Sequence, residues 1–356
     1  MTIAAAKPRI DWVDYAKGIC IILVVMMHST LGVEKAAGSV SWLNAFIEWA
    51  KPFRMPDFFL ISGLFLAARI DRPWRSFLDS KVLHFVYFYV LWMTIQFATK
   101  GHGLYQDLGA WGVIQSYLAG FVEPFGTLWF IYILAVFFAV TKLLRGVPPL
   151  LVFLAAAVLE MAPVHTGFLL VDEFAARYVY FFAGYWLAKH VFAFASGVER
   201  KPVAAILAGL VIWGIANAAL VSTGCAGLPV IGLALGFIGA AAVVSMGVLL
   251  SKTRLAEPIR YCGEKSIVIY LAFFLFMAAS RAVLLKVAPG LDLGVVSLAV
   301  TVCGVIGPVV LYWVVCRTPL AFLFTRPAWA KLASGPAEWH SAAHVEHVEI
   351  ARPQAR

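Results

Sequence analysis

The sequence contains ten long apolar runs separated by short polar segments, and this repetition restricts the fold more than any other feature. A helix that spans a bilayer needs about 20 mainly apolar residues. Two of the runs, 56–70 and 148–163, are at the lower limit of that length. We therefore predict an all-α polytopic membrane helix bundle with about ten transmembrane helices, nine or eleven being the alternatives. The ten runs lie near residues 14–33, 56–70, 80–99, 127–144, 148–163, 174–192, 203–222, 228–250, 266–287 and 292–316.

The low content of charged residues supports the same class of protein. Only 13% of the residues are charged and the mean hydropathy is +0.88, whereas soluble domains average about 25% charged residues. Because the deficit extends over the whole chain, it excludes a globular enzyme with a single anchor. The five cysteines are scattered without metal-binding spacings, so we predict neither a disulfide framework nor a metal site.

The positions of the basic residues predict the topology. With the N-terminus in the cytoplasm, 21 of the 28 lysines and arginines fall in the inner segments, as the positive-inside rule requires. We therefore predict cytoplasmic termini and a multi-pass protein of the cell membrane. The net charge of +9 then needs no nucleic acid partner. Residues 34–55 and 100–126 are the predicted long outer loops, residues 1–330 the membrane domain, and residues 331–356 a disordered cytoplasmic tail.

The first apolar run carries three ionisable residues on closely related helical faces. Lys17 and His28 are eleven residues apart, which in a helix is three turns plus about 20°, and about 16 Å along the axis. Asp14 lies one turn before Lys17. Lys17 would meet cytoplasmic anions, whereas His28 would lie in the outer half of the membrane, where an ionisable residue is a functional candidate. The alternatives are a snorkelling Lys17 and a His28 that only links helices.

The second run begins with Phe53-Arg-Met-Pro-Asp-Phe-Phe-Leu-Ile-Ser-Gly63. We expect Pro56 to start the second helix, because proline is favoured at the first helical position. In an antiparallel pair of helices, Asp57 would then lie at a depth similar to that of His28. Its carboxylate could orient the imidazole, as the aspartate does in hydrolytic triads. A surface ion pair between Arg54 and Asp57 is an equally good interpretation.

The following inner segment is rich in positive charge. Guanidinium and ammonium groups bind phosphates, and Trp74 could stack on an adenine. The positive-inside rule explains most of these charges without a ligand. The candidate phosphate-binding residues of this segment are Arg69, Arg72, Arg75, Lys81 and His84.

Several of these segments together resemble the membrane acyltransferase 3 family of integral-membrane O-acyltransferases. The resemblance implies a ten-helix bundle that takes an acyl group, commonly acetyl, from cytoplasmic acyl-CoA. The acceptor would be a hydroxyl of an extracytoplasmic glycan or lipid-linked sugar. The matching segments are Asp14-x-x-Lys17-Gly18 with His28, the FRMPDFFLISG segment, Leu128-Trp-Phe-Ile-Tyr132, Tyr180-Phe-Phe-Ala-Gly184 and Ser266-Ile-Val-Ile-Tyr270.

The resemblance also implies roles for individual residues. His28 would be the catalytic base or an acyl relay, and Lys17, with Asp14 beside it, would line the donor tunnel. Asp57, the candidate partner of His28 proposed above, is a departure from the family, in which this position is usually apolar. The family's RxxR signature aligns with Lys81-Val-Leu-His84, which lacks both arginines. Two upstream segments, 69–72 and 72–75, fit the RxxR pattern and could take over its role. We expect acyl-CoA as co-substrate, no bound cofactor, and membrane lipid as a partner. The rival functions are a glycan or lipid exporter and a membrane scaffold.

Overall fold

The protein is all-α over the residues that the computed structural model describes, 10–253 and 255–332 without the side chain of His102. The predicted tail lies outside these residues from position 333 onward. A π-helical turn, Asp79–Leu83, joins α3 to α4. The helices are α1 Asp11–Ala37, α2 Leu43–Leu64, α3 Trp74–Leu78, α4 His84–Ala119, α5 Trp129–Leu143, α6 Pro149–Met161, α7 Leu169–Trp186, α8 Ala188–Glu199, α9 Val203–Ser222, α10 Pro229–Ser251, α11 Glu257–Glu264, α12 Ser266–Val287 and α13 Leu293–Val315.

Seven helical stretches of the described chain are long and apolar enough to cross a membrane, which confirms the predicted helical membrane bundle. The other three predicted runs coincide with α6, which has 13 residues, and with α2 and α7, which carry several charged residues. The number of ten spans and the cytoplasmic termini remain predictions. The seven stretches are Asp11–Ala37, Trp74–Gly101, Gly126–Gly146, Val203–Ser222, Pro229–Ser251, Ser266–Val287 and Leu293–Val315.

Helix α1 lies at the centre of the bundle. It packs against α2, α10, α11, α12 and α13. Ala16, Cys20, Ile21 and Val25 are fully buried, as expected of a helix that is apolar on all sides. Asp14, Lys17 and His28 therefore lie among neighbouring helices, where Asp14 is buried and the other two are partly buried.

The prediction that Pro56 starts the second helix is wrong, because α2 begins at Leu43 and contains Pro56 in its interior. Leu43, Ile47 and Ala50 are buried against the bundle. Their i, i+4, i+7 spacing is a helical pattern. The charged residues Glu48, Lys51, Arg54 and Asp57 lower the average hydropathy of α2, so a hydropathy window misses it. Much of the predicted outer loop 34–55 is therefore helix, and packing within the bundle tolerates the internal proline.

The second predicted outer loop, 100–126, is also largely helical. Helix α4 continues to Ala119, with a break at Gly109, where φ is +67°. Glycine adopts this left-handed conformation without the steric penalty of a side chain. The break allows the apolar inner part of α4 and its more polar outer part to take different directions.

Helices α2 and α7 approach each other through two glycines. A Cβ atom at Gly184 would overlap the carbonyl oxygen of Leu60, and a Cβ at Gly63 would overlap that of Phe181. Small residues permit this close contact between membrane helices. The two glycines therefore determine how closely the second and seventh helices pack.

We expect Gly184→Ala to destabilise the bundle by at least about 2 kcal/mol, because the added methyl group meets rigid backbone atoms. The measurement is thermal unfolding of the purified protein in detergent. Gly209→Ala in α9 is the matched control, since a Cβ there has no neighbour within 4 Å and alanine favours helix. Equal stability of the two variants would contradict the close contact.

Candidate active site in the first helix

His28 is partly buried and lies in the C-terminal half of α1, which the predicted topology places on the outer side. Its ring centroid is 5.4 Å from that of Phe273 on α12, with the two planes tilted by 36°. No described residue forms a hydrogen bond with its imidazole, and the charge of Arg54 on α2 acts on it electrostatically. The imidazole nitrogens are thus available to a substrate, which is the requirement for proton transfer.

The inner part of α1 contains Asp14 and Lys17, as predicted from the sequence. The Nζ of Lys17 lies 5.4 Å from the ring centroid of Phe65, the first residue after α2. This contact connects Lys17 to the start of the arginine-rich segment. Because α1 is uninterrupted, Lys17 and His28 keep the predicted spacing and share a face.

Helix α11 packs tightly against this inner part of α1, a contact that the sequence analysis did not predict. A Cβ at Gly18 would overlap the carbonyl oxygen of Ile259, and one at Gly263 would overlap that of Asp14. The Asp14 side chain is 1% exposed. The glycine in Asp14-x-x-Lys17-Gly18 is therefore required for packing, because a side chain there would prevent α11 from approaching α1 next to Lys17.

Asp57 is fully buried and forms no hydrogen bond to His28. Neither carboxylate oxygen has a hydrogen-bond partner among the described residues, and its electrostatic neighbours are Cys20 and Tyr180. The alternative surface pair with Arg54 is absent as well, because Arg54 is only 8% exposed and donates to the carbonyl oxygen of Ile47 at 3.3 Å.

The arginine-rich segment after α2 is anchored by Lys142, a residue that the sequence analysis counted only as an inner charge. The Nζ of Lys142 donates to the carbonyl oxygens of Ile70 at 2.5 Å and Arg72 at 2.6 Å, and lies 5.1 Å from the Trp74 ring centroid. Arg72 and Arg75 have exposed side chains, and Arg69 is partly buried. Lys142 thus fixes the backbone from which these arginines extend.

Lys81 and His84 lie at the junction of the π-helical turn and α4. Lys81 is 7% exposed and its Nζ lies 4.9 Å from the ring centroid of Phe138 on α5. The His84 ring contacts Phe85 and Phe88. The ammonium group of Lys81 therefore lies under α5 instead of on the surface, at a π-helical turn of the kind that often occurs at functional sites.

Three of the remaining segments that carry the family resemblance meet around Phe130, which belongs to the segment Leu128-Trp-Phe-Ile-Tyr132. Its ring centroid is 4.5 Å from Phe58, 4.7 Å from Phe59 and 5.6 Å from Tyr270. The hydroxyl of Tyr270 donates to the carbonyl oxygen of Thr127 at 2.5 Å. Segments that are more than 100 residues apart in the sequence thus form a single core beside α1.

Comparison with known families gives a match described as "Acyltransferase domain", which covers residues 10–316. The chain belongs to this acyltransferase family. The resemblance predicted from the sequence is thereby confirmed, and the bundle around α1 is a membrane acyltransferase domain. No solved structure matches this membrane acyltransferase at a significant level.

A curated relative supports the membrane location of the acyltransferase. The chain is 26% identical over 164 residues to the Inner membrane protein YcfT of Escherichia coli (strain K12). The alignment covers 38% of this chain and 44% of that protein, so the chain spans less than half the length of that relative. Together with the helices, this similarity indicates a multi-pass membrane protein.

Proposed function

We propose that this membrane acyltransferase transfers an acetyl group from cytoplasmic acetyl-CoA to a hydroxyl of an extracytoplasmic glycan or lipid-linked sugar. The observation that carries the proposal is the arrangement of α1. One uninterrupted helix carries Lys17 in its N-terminal part and His28 in its C-terminal part. The imidazole of His28 has no hydrogen-bond partner among the described residues. The two side chains lie on one face of that helix.

The inner residues support the binding of the donor's phosphates. Lys17 adjoins Phe65, the first residue of the segment that carries Arg69, Arg72 and Arg75. Guanidinium groups bind phosphates through paired hydrogen bonds. With the phosphates of acetyl-CoA held at this end, its long pantetheine arm would extend along α1 and bring the thioester to His28.

The outer residue supports the chemical step. Neutral His28 accepts the proton of the acceptor hydroxyl as the hydroxyl oxygen attacks the thioester carbonyl. The carbon–sulfur bond then breaks, and the CoA thiolate leaves and takes up the proton from the imidazolium. In the relay version, the imidazole attacks the thioester carbonyl and expels the CoA thiolate, which takes up the ring proton. The acceptor hydroxyl then attacks the acyl-imidazole, the acyl–nitrogen bond breaks, and the hydroxyl proton passes to the freed imidazole. The surrounding apolar helices exclude water, which limits hydrolysis of the thioester.

The test of the proposed function uses the purified full chain in nanodiscs with radiolabelled acetyl-CoA and a cell-envelope extract. We expect label to appear in the glycan or glycolipid fraction. Mass spectrometry of surface glycans from a deletion strain should show loss of acetyl groups with the amount of glycan unchanged. If the glycan itself is lost from the surface while its acetylation is unaffected, the exporter function is correct instead.

A further inference from the structure

Two arginines next to the outer part of α1 have no counter-ion among the described residues. Arg54 on α2 is 8% exposed, and Arg281 on α12 is partly buried. Neither forms an ion pair with a described carboxylate. A buried charge without a partner is unfavourable, so such groups are normally neutralised by an ion pair or a ligand.

The charge of Arg54 acts on His28, and no described carboxylate forms an ion pair with the Arg54 guanidinium. Its Nη1 donates to the carbonyl oxygen of Ile47 at 3.3 Å, while its Nε has no hydrogen-bond partner in the described chain. The charged residues that act on it are Arg177, which repels it, and Glu48. Glu48, however, is held at the surface by the Nζ of Lys51 at 3.2 Å. The guanidinium is therefore a hydrogen-bond donor with unused capacity.

Arg281 turns towards α1 on the face that carries His28. Its Nη1 lies 2.6 Å from the position that a Cβ of Gly32 would occupy, and Gly32 follows His28 by four residues, one helical turn. Only glycine leaves room for the guanidinium there. Lys286, five residues further along α12, is exposed, as expected of a basic residue that snorkels to the membrane surface. Arg281 therefore points towards α1, whereas Lys286 is exposed.

We propose that Arg54, whose charge acts on His28, and Arg281, whose guanidinium lies against α1 one turn further on, form an anion subsite that binds a carboxylate or phosphate group of the acceptor. The inference rests on the proposed transfer to a hydroxyl and specifies the acceptor as an acidic saccharide or a phosphate-linked glycolipid. Two guanidinium groups match the paired oxygens of either anion. An acceptor bound through its acidic group presents a neighbouring hydroxyl to the imidazole of His28.

The test measures binding of small probes, so that its result does not depend on acyl transfer. The full chain is purified in nanodiscs of neutral lipid, and equilibrium dialysis compares radiolabelled glucuronate, glucose 1-phosphate and glucose. We expect at least one acidic probe to bind at least about tenfold more tightly than glucose. The acid that binds more tightly distinguishes a carboxylate acceptor from a phosphate acceptor. Equal binding of all three probes would overturn the proposal.

Variants assign this preference to the two arginines. Arg54→Gln and Arg281→Gln should each reduce binding of the acidic probe towards the level of glucose. Arg281→Lys should restore part of the binding, and Gly32→Ala should weaken it by displacing the Arg281 guanidinium. Lys286→Gln is the matched control on the same helix and should bind like the wild type. An equal loss in Lys286→Gln would show that the preference is a general surface-charge effect and would overturn the assignment.

The lipid composition of the nanodiscs provides the last arm of the test. If anionic phospholipid displaces the acidic probe completely at a modest lipid fraction, the subsite binds a lipid headgroup, and the assignment to the acceptor is wrong. If the acidic probe stays bound, the assignment is supported. Absence of acyl transfer together with intact binding of the acidic probe would reject the proposed function but leave the anion subsite in place.

Discussion

Replacing His28 by alanine should lower the rate of acyl transfer by about 10²- to 10⁴-fold, the range of effects attributed to a positioned general base. The physical reason is that the acceptor hydroxyl then has no group to receive its proton as it attacks the thioester. The imidazole makes no hydrogen bond to a described residue, so its removal breaks no polar contact that stabilises the fold. The measurement is transfer of radiolabelled acetyl groups by the purified variant in nanodiscs.

Two further variants make the result for His28 specific. His165→Ala removes an exposed histidine from the segment between α6 and α7 and should retain full activity. Asp57→Asn tests the predicted role of Asp57 as the partner of His28. If Asp57 orients the imidazole during the reaction, Asp57→Asn and His28→Ala should lose activity to a similar extent. A loss of less than about tenfold would assign Asp57 to another role, and wild-type activity in His28→Ala would refute the catalytic role of His28.

The sequence could predict the membrane class and the face of α1, because both depend on local periodicity. Ten apolar runs correspond to helices, and the spacing of Lys17 and His28 fixes their relation once α1 is continuous. The start of α2 could not be found by average hydropathy. Its buried residues Leu43, Ile47 and Ala50 lie in a helix that also carries Glu48, Lys51, Arg54 and Asp57, and only the helical spacing of the apolar residues indicates the helix.

The partners of the polar residues could not be predicted, since they come from distant parts of the chain. Lys142 and Arg326 look in the sequence like positive-inside residues, yet both are buried and hydrogen-bonded. The contact of Arg281 with α1 requires the packing of α12, and the approach of α11 explains Gly18. Charge counting gives the side of the membrane on which a residue lies but not the atom that it binds.

A buried ion pair attaches the segment after α13 to the start of α4. The guanidinium of Arg326 donates to Oδ2 and to the carbonyl oxygen of Asp79, both at 2.7 Å, and the backbone N–H of Leu332 donates to Oδ1 at 2.7 Å. Asp79 is fully buried and Arg326 is 7% exposed. Asp79 begins the π-helical turn that contains Lys81, so the pair supports one of the candidate donor-binding residues.

We expect Arg326→Ala to lower the free energy of unfolding by about 3–5 kcal/mol, because it leaves the Asp79 carboxylate buried without its cation. Thermal unfolding in detergent gives the measurement, and Arg317→Ala, which removes an exposed arginine from the same segment, should change stability by less than about 0.5 kcal/mol. The double variant Asp79→Asn/Arg326→Ala should be more stable than Arg326→Ala, since it no longer buries an unpaired charge. If the single and double variants were equally unstable, the loss would come from packing of the arginine side chain and not from the ion pair.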